Sequence, residues 1–260
     1  LAKQFLSGKY FSTPIRYLSP HCHKNRLVSN MLKEEYKRRL SRATWFASIP
    51  VELQTVVFEN MRCRHFDAGH LLHGKGDEGV GFYGVCEGRI RVMNTGNDGK
   101  ALLLALLGPG TWFGEISLFD DLPRTHDSYC DVDTWVGIIP KTAFKRMLES
   151  HPQLYPHFTR LLCSRVRSAF QFIDSSAGLS LKQQLVKRLL MLSTSFGQYQ
   201  PTQNSVVLRL SQESLAQMIN SSRQTVNQLL QGLQAEGVVR VHYGQITVMD
   251  MNGMFALLNE

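Results

Sequence analysis

The sequence lacks the features that would place it in a membrane or in a secreted disulfide scaffold. Its 260 residues contain no run of about 18 apolar residues, so no membrane-spanning helix is predicted. The N-terminus is polar and basic and has no apolar signal-peptide segment. The five cysteines are odd in number and widely scattered, which favours reduced thiols in a cytoplasmic protein.

Motifs for catalysis and for bound metals are also missing. No Ser/His/Asp set and no paired carboxylates stand out, so we predict no catalytic residues and no enzyme activity. His65, His70 and His73 have no partner acid, and we predict no metal site there. The cysteines lack the tight cluster of an iron–sulfur sensor. Haem sensing stays open, because a single His or Cys can ligate haem.

Acidic residues are scarce at the N-terminal end of the chain. The formal net charge is +8, and residues 1–42 carry ten basic and two acidic residues. Residues 43–180 have a net charge of −2 and residues 181–260 of +2. The basic segment could add phosphate contacts on a nucleic acid, or it could be a solvated and partly disordered tail.

The most informative pattern runs from Leu210 to Gly237 and predicts two short helices. Ser211 and Ser222 each precede a segment of helical apolar spacing and can cap a helix. The second segment exposes an arginine, which reads guanine, and Asn and Gln, which read adenine. We interpret it as a helix-turn-helix whose second helix enters the major groove; the alternative is an ordinary helical hairpin with a solvated face. The predicted DNA-binding residues are Ser211, Ser222, Arg223, Gln224, Thr225, Asn227 and Gln228.

The rest of the chain divides into three regions with different sequence patterns. From Arg62 to Pro140, short apolar runs alternate with glycines, which predicts a β-roll or jelly roll. A long helix follows Pro152, and its apolar residues recur at spacings of four, three and four, which is typical of a dimer seam. The alternative for that face is burial against the protein's own roll. The predicted seam residues are Leu162, Val166, Ala169 and Ile173. Gly178 is a predicted hinge after the long helix. The segment Val238–Met249 predicts a two-stranded wing.

This order of elements resembles the Crp/Fnr family of bacterial transcription regulators over about residues 43–250. The segments Gly76–Asp77, Tyr83 and Gly88–Val92 resemble the front half of a cyclic-nucleotide-binding roll. Phe113–Phe119 followed by Pro123–Thr125 resembles the phosphate-binding cassette of the family. Ser222–Val226 resembles the start of its recognition helix.

The resemblance implies an effector site with defined roles. Backbone amides near Gly114 and Glu115 would approach a cyclic phosphate, because glycine has no side chain. Arg124 would neutralise the phosphate and Thr125 would add a hydroxyl, while the Glu115 carboxylate would accept from a ribose hydroxyl. Where a family member that binds cyclic AMP has a Thr-Ser pair against adenine, this chain has Ala169 and Phe170. The alternative is a cassette kept only as scaffold.

The sequence therefore predicts an α+β protein with a cyclic-nucleotide-binding-type β-roll (jelly roll), a long dimerisation helix and a C-terminal winged helix-turn-helix. The predicted segments are a basic extension (1–42), an effector-binding roll (43–150), a dimerisation helix with hinge (151–178) and a winged helix-turn-helix domain (179–260).

We predict a homodimeric transcription regulator that binds double-stranded DNA under allosteric control by an effector in the roll. Such control requires the effector to bind two states with different affinity. The cofactor is left undetermined, with a cyclic nucleotide as the candidate, and RNA polymerase is a further candidate partner. The alternative function is a ligand-binding or enzymatic jelly roll with an accessory helical domain; the helix-turn-helix pattern argues against it.

Overall fold

The structure is a computed structural model that describes residues 32–95, 101–174, 178–193 and 205–258. No helix in those ranges is long and apolar enough to cross a membrane. The first part contains the helices α1 (Glu34–Leu40), α2 (Thr44–Ala47) and α3 (Val51–Glu59), and the strands β1 (Arg62–Phe66), β2 (Leu71–His73), β3 (Gly81–Glu87) and β4 (Ile90–Thr95). The next part contains β5 (Ala101–Leu107), β6 (Trp112–Phe113), α4 (Ile116–Phe119), β7 (Asp127–Cys130), β8 (Thr134–Pro140), α5 (Lys141–Ser150), a 3-10 turn (Pro152–Leu154) and α6 (Tyr155–Asp174). The remainder contains α7 (Leu181–Ser193), β9 (Val206–Leu208), α8 (Gln212–Met218), α9 (Arg223–Ala235), β10 (Val239–His242), β11 (Gln245–Val248) and α10 (Met251–Ala256).

The eight strands β1 to β8 form two antiparallel sheets, which confirms the predicted roll. Their orders are β1-β8-β3-β6 and β2-β7-β4-β5. Because side chains alternate between the faces of a strand, Tyr83 and Val85 point between the sheets while Phe82 points away from them. The inner face carries one apolar cluster, and the outer face of the first sheet carries another against the helices.

The N-terminal helices belong to that outer layer. Tyr36 and Leu40 of α1 are buried against β3, and the Trp112 indole Nε1 donates to the Leu40 carbonyl oxygen at 3.1 Å. Trp45 of α2 lies 5.6 Å from Trp112, ring centre to ring centre. The sequence assigns residues 1–42 to a basic N-terminal extension. In the structure the described end of that segment, from Leu32 onward, packs on the roll.

The long helix α6 uses one face against the roll and leaves another open. Phe158 and Leu161 are fully buried among the aromatic residues of the outer layer. Val166 and Phe170 are 52% and 60% exposed. The helix therefore packs on its own roll near its N-terminal end, and its later turns present apolar side chains to solvent.

The C-terminal part forms a helical core with a small sheet. Leu185, Leu189, Val226 and Leu230 pack together, and the sheet has the order β10-β11-β9. The predicted wing turn at Tyr243 and Gly244 is present, and β9 adds a third strand that the sequence analysis did not predict. This core also contacts the roll, since its apolar cluster is continuous with Met93, Leu103 and Leu106 of the β4–β5 hairpin.

Candidate functional site

A cavity of about 250 Å³ lies between the roll and α6. The two sheets, the loop after β6 and one side chain of α6 form its walls. Four residues that the sequence analysis assigned to an effector site line this cavity together: Gly114, Glu115, Arg124 and Thr125.

Gly114 is at a position where both conformation and space exclude a side chain. Its φ is +90°, a region that L side chains rarely adopt. A Cβ there would stand 2.8 Å from the Tyr83 ring and 2.9 Å from Arg124 Nη1. The glycine therefore keeps the cavity wall open beside the arginine.

Arg124 is a buried cation with incomplete hydrogen bonding. The residue is 4% exposed, and its Nη1 and Nη2 donate to the carbonyl oxygens of Gly114 and Gly81, each at 2.7 Å. Its guanidinium carbon lies 5.3 Å from the centre of the Tyr83 ring. Within the described part of the chain, its buried Nε has no hydrogen-bond acceptor. A buried donor without an acceptor is costly, and an anionic ligand could supply one.

Glu115 joins the cavity to the long helix through a residue that the sequence analysis missed. Its carboxylate is 2% exposed, and its Oε1 accepts from Arg165 Nε at 3.3 Å. Arg165 Nη2 also donates to the Trp112 carbonyl oxygen at 2.6 Å. The other oxygen of Glu115, Oε2, has no partner among the described residues. The only sequence signal for Arg165 was its place just before Val166 in the predicted seam.

His73 is a second cavity residue that the sequence analysis did not assign. Burial, together with the nearby charge of Arg124, lowers the pKa of His73 from 6.5 to about 4. Its ring stacks on Tyr83 with 5.8 Å between the ring centres. The imidazole is therefore neutral at pH 7 and offers a hydrogen-bonding nitrogen without adding positive charge.

The other two predicted effector residues lie elsewhere. Ala169 and Phe170 are exposed on α6 and do not line the cavity of this chain. Along the predicted seam, Leu162 is half-buried, Val166 is exposed, and the side chain of Ile173 lies outside the described part. The cavity thus has groups for an anion and a hydroxyl, and its contact with a base stays a prediction.

The two helices α8 and α9 begin where the serine caps predicted. Ser211 Oγ accepts from the backbone N–H of Ser214, and Ser222 Oγ accepts from that of Thr225, each at 3.0 Å. Between the helices Asn220 adopts a φ of +51°, which turns the chain sharply.

The first turns of α9 present polar side chains to solvent. Gln212 of the preceding helix donates from its Nε2 to Asn227 Oδ1 at 3.1 Å, which fixes one amide of that surface. Thr225 is half-buried, and Val226, Leu230 and Leu233 hold the opposite face in the core. The exposed residues at this end of α9 are Arg223, Gln224, Asn227 and Gln228.

Across the described ranges, no group of three or more His, Cys, Asp or Glu side chains is placed to hold a metal ion.

Two protein families match the regions that contain these two sites. The family of the cyclic nucleotide-binding domain matches residues 63–151, which include the cavity cassette. The family of the Crp-like helix-turn-helix domain matches residues 183–257, which include α8 and α9.

Curated proteins and solved structures agree with both matches. The CRP-like cAMP-activated global transcriptional regulator of Mycobacterium tuberculosis is 25% identical over 81% of this chain and 94% of its own length. The cyclic AMP receptor protein of Thermus thermophilus is 29% identical over 76% of this chain and 86% of its own length. A crystal structure of a CRP/FNR-family transcriptional regulator from Thermus thermophilus has a TM-score of 0.58 at 26% identity, covering 76% of this chain and 99% of that one.

Proposed function

Since the chain belongs to the Crp/Fnr regulators, in which an effector controls DNA binding, we propose that its effector carries a cyclic phosphate and a ribose. The observation that supports this proposal is that two buried polar groups in one cavity lack hydrogen-bond partners among the described residues. Arg124 Nε is a buried donor without an acceptor, and Glu115 Oε2 is a buried acceptor without a donor, among the described residues. A phosphate oxygen and a sugar hydroxyl satisfy that pair in a single ligand.

The proposed contacts divide between the two ends of the sugar-phosphate. Arg124 and the backbone near Gly114 bind the phosphate, with Thr125 adding its hydroxyl. Glu115 accepts a hydrogen bond from the ribose hydroxyl. This hydroxyl competes with the Arg165 guanidinium as a donor to the carboxylate. The effector thereby changes the contact between the cavity and α6. We propose that this change in α6 transmits effector binding to the DNA-binding domain.

The base of the nucleotide should be weakly discriminated. Ala169 and Phe170 on α6 have no hydroxyl, and neither lines the cavity of a single chain. The two curated relatives are named for cyclic AMP, which supports a cyclic nucleotide without selecting the purine for this chain. We propose that affinity comes mainly from the sugar-phosphate.

We also propose that two copies pair along α6. The exposed Val166 and Phe170 are large apolar side chains without cover in a single chain, and Leu162 continues the same seam. A two-fold pair would place two copies of α9 about 34 Å apart, the spacing of successive major grooves on one side of the duplex. DNA in the form of an inverted repeat is the proposed target. RNA polymerase is the proposed further partner and the cytoplasm the proposed location.

Titration calorimetry with cyclic AMP and cyclic GMP tests the effector. A charge-assisted contact contributes about 1.5–3 kcal/mol, so Arg124→Ala should weaken binding about tenfold to a hundredfold. Arg146→Ala, at an exposed arginine of α5, is the matched control and should leave affinity unchanged. Similar affinities for the two nucleotides are expected. Absence of binding to the wild type at millimolar concentration would overturn the cyclic-nucleotide proposal and leave the DNA-binding assignment standing.

A gel-shift experiment on the promoter region of the protein's own gene tests the DNA target. Retardation of that fragment in the presence of excess random DNA is the expected result. Failure to retard any promoter fragment, with and without nucleotide, would instead favour a ligand-binding or enzymatic jelly roll with an accessory helical domain.

A further inference from the structure

Within the described part of the chain, the wall of the cavity holds one positive charge that no lining side chain balances. The charged side chains of that wall are Glu115, Arg124 and Arg165. Glu115 and Arg165 lie 3.3 Å apart, so their charges cancel. The Arg124 guanidinium instead donates to two backbone carbonyl oxygens, which carry no net charge. The charge of the wall is therefore that of Arg124 alone as long as its histidines are neutral.

His73 is the wall residue whose charge would add most directly to that of Arg124. Its ring stacks on Tyr83 with 5.8 Å between the ring centres, and the Arg124 guanidinium carbon lies 5.3 Å from the centre of the same Tyr83 ring. A cation at position 73 would thus be a close neighbour of Arg124. Burial and the charge of Arg124 lower the pKa of His73 to about 4, so its ring adds no charge at pH 7.

The second histidine of the wall, His126, also adds no cation at pH 7. Burial lowers the pKa of His126, and the charge of Lys75 lowers it further. Its Nδ1 shares a hydrogen bond with Thr125 Oγ1 at 2.8 Å. Lys75 itself is exposed and does not line the cavity, and its Nζ donates to Asn94 Oδ1 at 3.2 Å.

Two carboxylates just outside the wall oppose any further negative charge. Asp77 and Asp127 are the acidic residues that act on His73, and neither lines the cavity. Asp77 Oδ2 accepts from the backbone N–H of Gly74, and Asp127 Oδ1 accepts from that of Lys75, each at 2.7 Å. These hydrogen bonds fix both carboxylates beside the cavity, where they repel an anion that carries more charge than Arg124 balances.

We propose that the cavity selects its effector by charge and that His73 is a specificity-determining residue for it. A nucleoside phosphodiester, cyclic or open, carries one negative charge and is balanced by Arg124. A phosphomonoester carries nearly two negative charges at pH 7, and burying the second without a partner is costly. The inference rests on the proposed function, since it requires a phosphate beside Arg124.

An open phosphodiester separates recognition of charge from recognition of the closed ring. Adenosine 5′-monophosphate and its 5′-methyl ester have the same open shape apart from one methyl group, and they differ by one charge at pH 8. Titration calorimetry on the full chain compares both with cyclic AMP. The methyl ester should bind at least about tenfold more tightly than the monophosphate, because uncompensated charge shifts such equilibria by about one pKa unit or more.

The dependence of monophosphate binding on pH is a second readout that needs no variant. The second pKa of a phosphomonoester is about 6, so the singly charged form makes up about nine tenths at pH 5 and about 1% at pH 8. If that form alone binds, the affinity for the monophosphate should fall by up to about a hundredfold from pH 5 to pH 8. The affinities for cyclic AMP and for the methyl ester should change by less than about threefold, because the pKa of His73 lies below this range.

A charge substitution tests the role of His73 directly. His73→Arg adds a side chain that stays protonated in proteins. It should reduce the preference for the methyl ester over the monophosphate at pH 8 by about tenfold. His73→Gln is neutral at every pH, so it is the matched control and should keep the preference. The ratio of the two affinities removes changes of cavity shape that affect both ligands alike.

Four outcomes would overturn the proposal. Three of them leave the proposed function standing: equal affinities for the monophosphate and its methyl ester at pH 8, an unchanged preference in folded His73→Arg, and binding of cyclic AMP without binding of the methyl ester. The last of these would show that the cavity reads the closed ring. If His73→Arg does not fold, the pH series on the wild type decides. Absence of cyclic AMP binding to the wild type at millimolar concentration would overturn the proposed function as well.

Discussion

The contact between Glu115 and Arg165 should be a strong coupling between the roll and the long helix. The two residues are 50 positions apart in sequence, and their side chains are 2% and 20% exposed. Arg165→Met removes the guanidinium and keeps most of the buried stem. It leaves the Glu115 carboxylate buried without its cation. Glu115→Gln removes the charge and keeps the shape.

The magnitude follows from distance and burial. At 3.3 Å and an effective dielectric constant of 20, the Coulomb attraction is about 5 kcal/mol. Removing the two ions from water cancels much of this, as in other buried pairs. We therefore expect a coupling free energy of about 1.5–3 kcal/mol. Arg165→Met alone should cost about 3 kcal/mol, because it strands a buried charge, and far less when residue 115 is already Gln.

A double-mutant cycle by urea unfolding at pH 7 measures that coupling. The wild type, Arg165→Met, Glu115→Gln and the double variant are compared at one protein concentration without effector. Arg167→Met, at an exposed arginine of the same helix, is the control and should change stability by less than about 0.5 kcal/mol. If Arg165→Met costs the same in both backgrounds, within about 0.5 kcal/mol, the ion pair does not couple the helix to the cavity.

Three further predictions concern DNA, assembly and pH. Arg223→Ala should weaken specific DNA binding, measured by fluorescence anisotropy, by about 1–3 kcal/mol. Gln231→Ala, at an exposed position further along α9, is the control and should not weaken it. Equal losses of affinity for specific and random DNA would reject base reading by Arg223. Ala169→Glu should place like charges across a two-fold axis and shift the dimer towards monomer, as measured by light scattering. A native protein that is monomeric at micromolar concentration would contradict pairing along α6. Because the pKa of His73 falls to about 4 in the folded state, the unfolded state takes up a proton first as the pH decreases. The free energy of unfolding is therefore unaffected by His73 above about pH 6.5, and His73 lowers it by at most about 3 kcal/mol as the pH falls towards 4. His73→Gln should flatten that decline in unfolding measurements at several pH values. An unaltered dependence of the unfolding free energy on pH would contradict the buried, neutral state assigned to His73.

Local features were predictable because they depend on residues close in sequence. The helices α8 and α9 begin one residue after Ser211 and Ser222, since each cap bonds to a backbone amide three residues later. The roll was predicted from Arg62 to Pro140, the span that β1 to β8 occupy, because short apolar runs between glycines favour strands and turns. The resemblance to a known family then predicted the roles of the cassette residues.

Features that depend on distant strands and helices were decided only by the tertiary structure. No spacing along the chain indicates that Arg165 reaches Glu115 or that His73 enters the same cavity. These contacts require sheet register and the position of α6 on the roll, which the packing of aromatic residues in the outer layer determines. The sequence by itself thus determined the order of roll, long helix and helix-turn-helix and the starts of α8 and α9, through periodicity and local hydrogen bonds. Long-range packing decided which side chains of these elements meet.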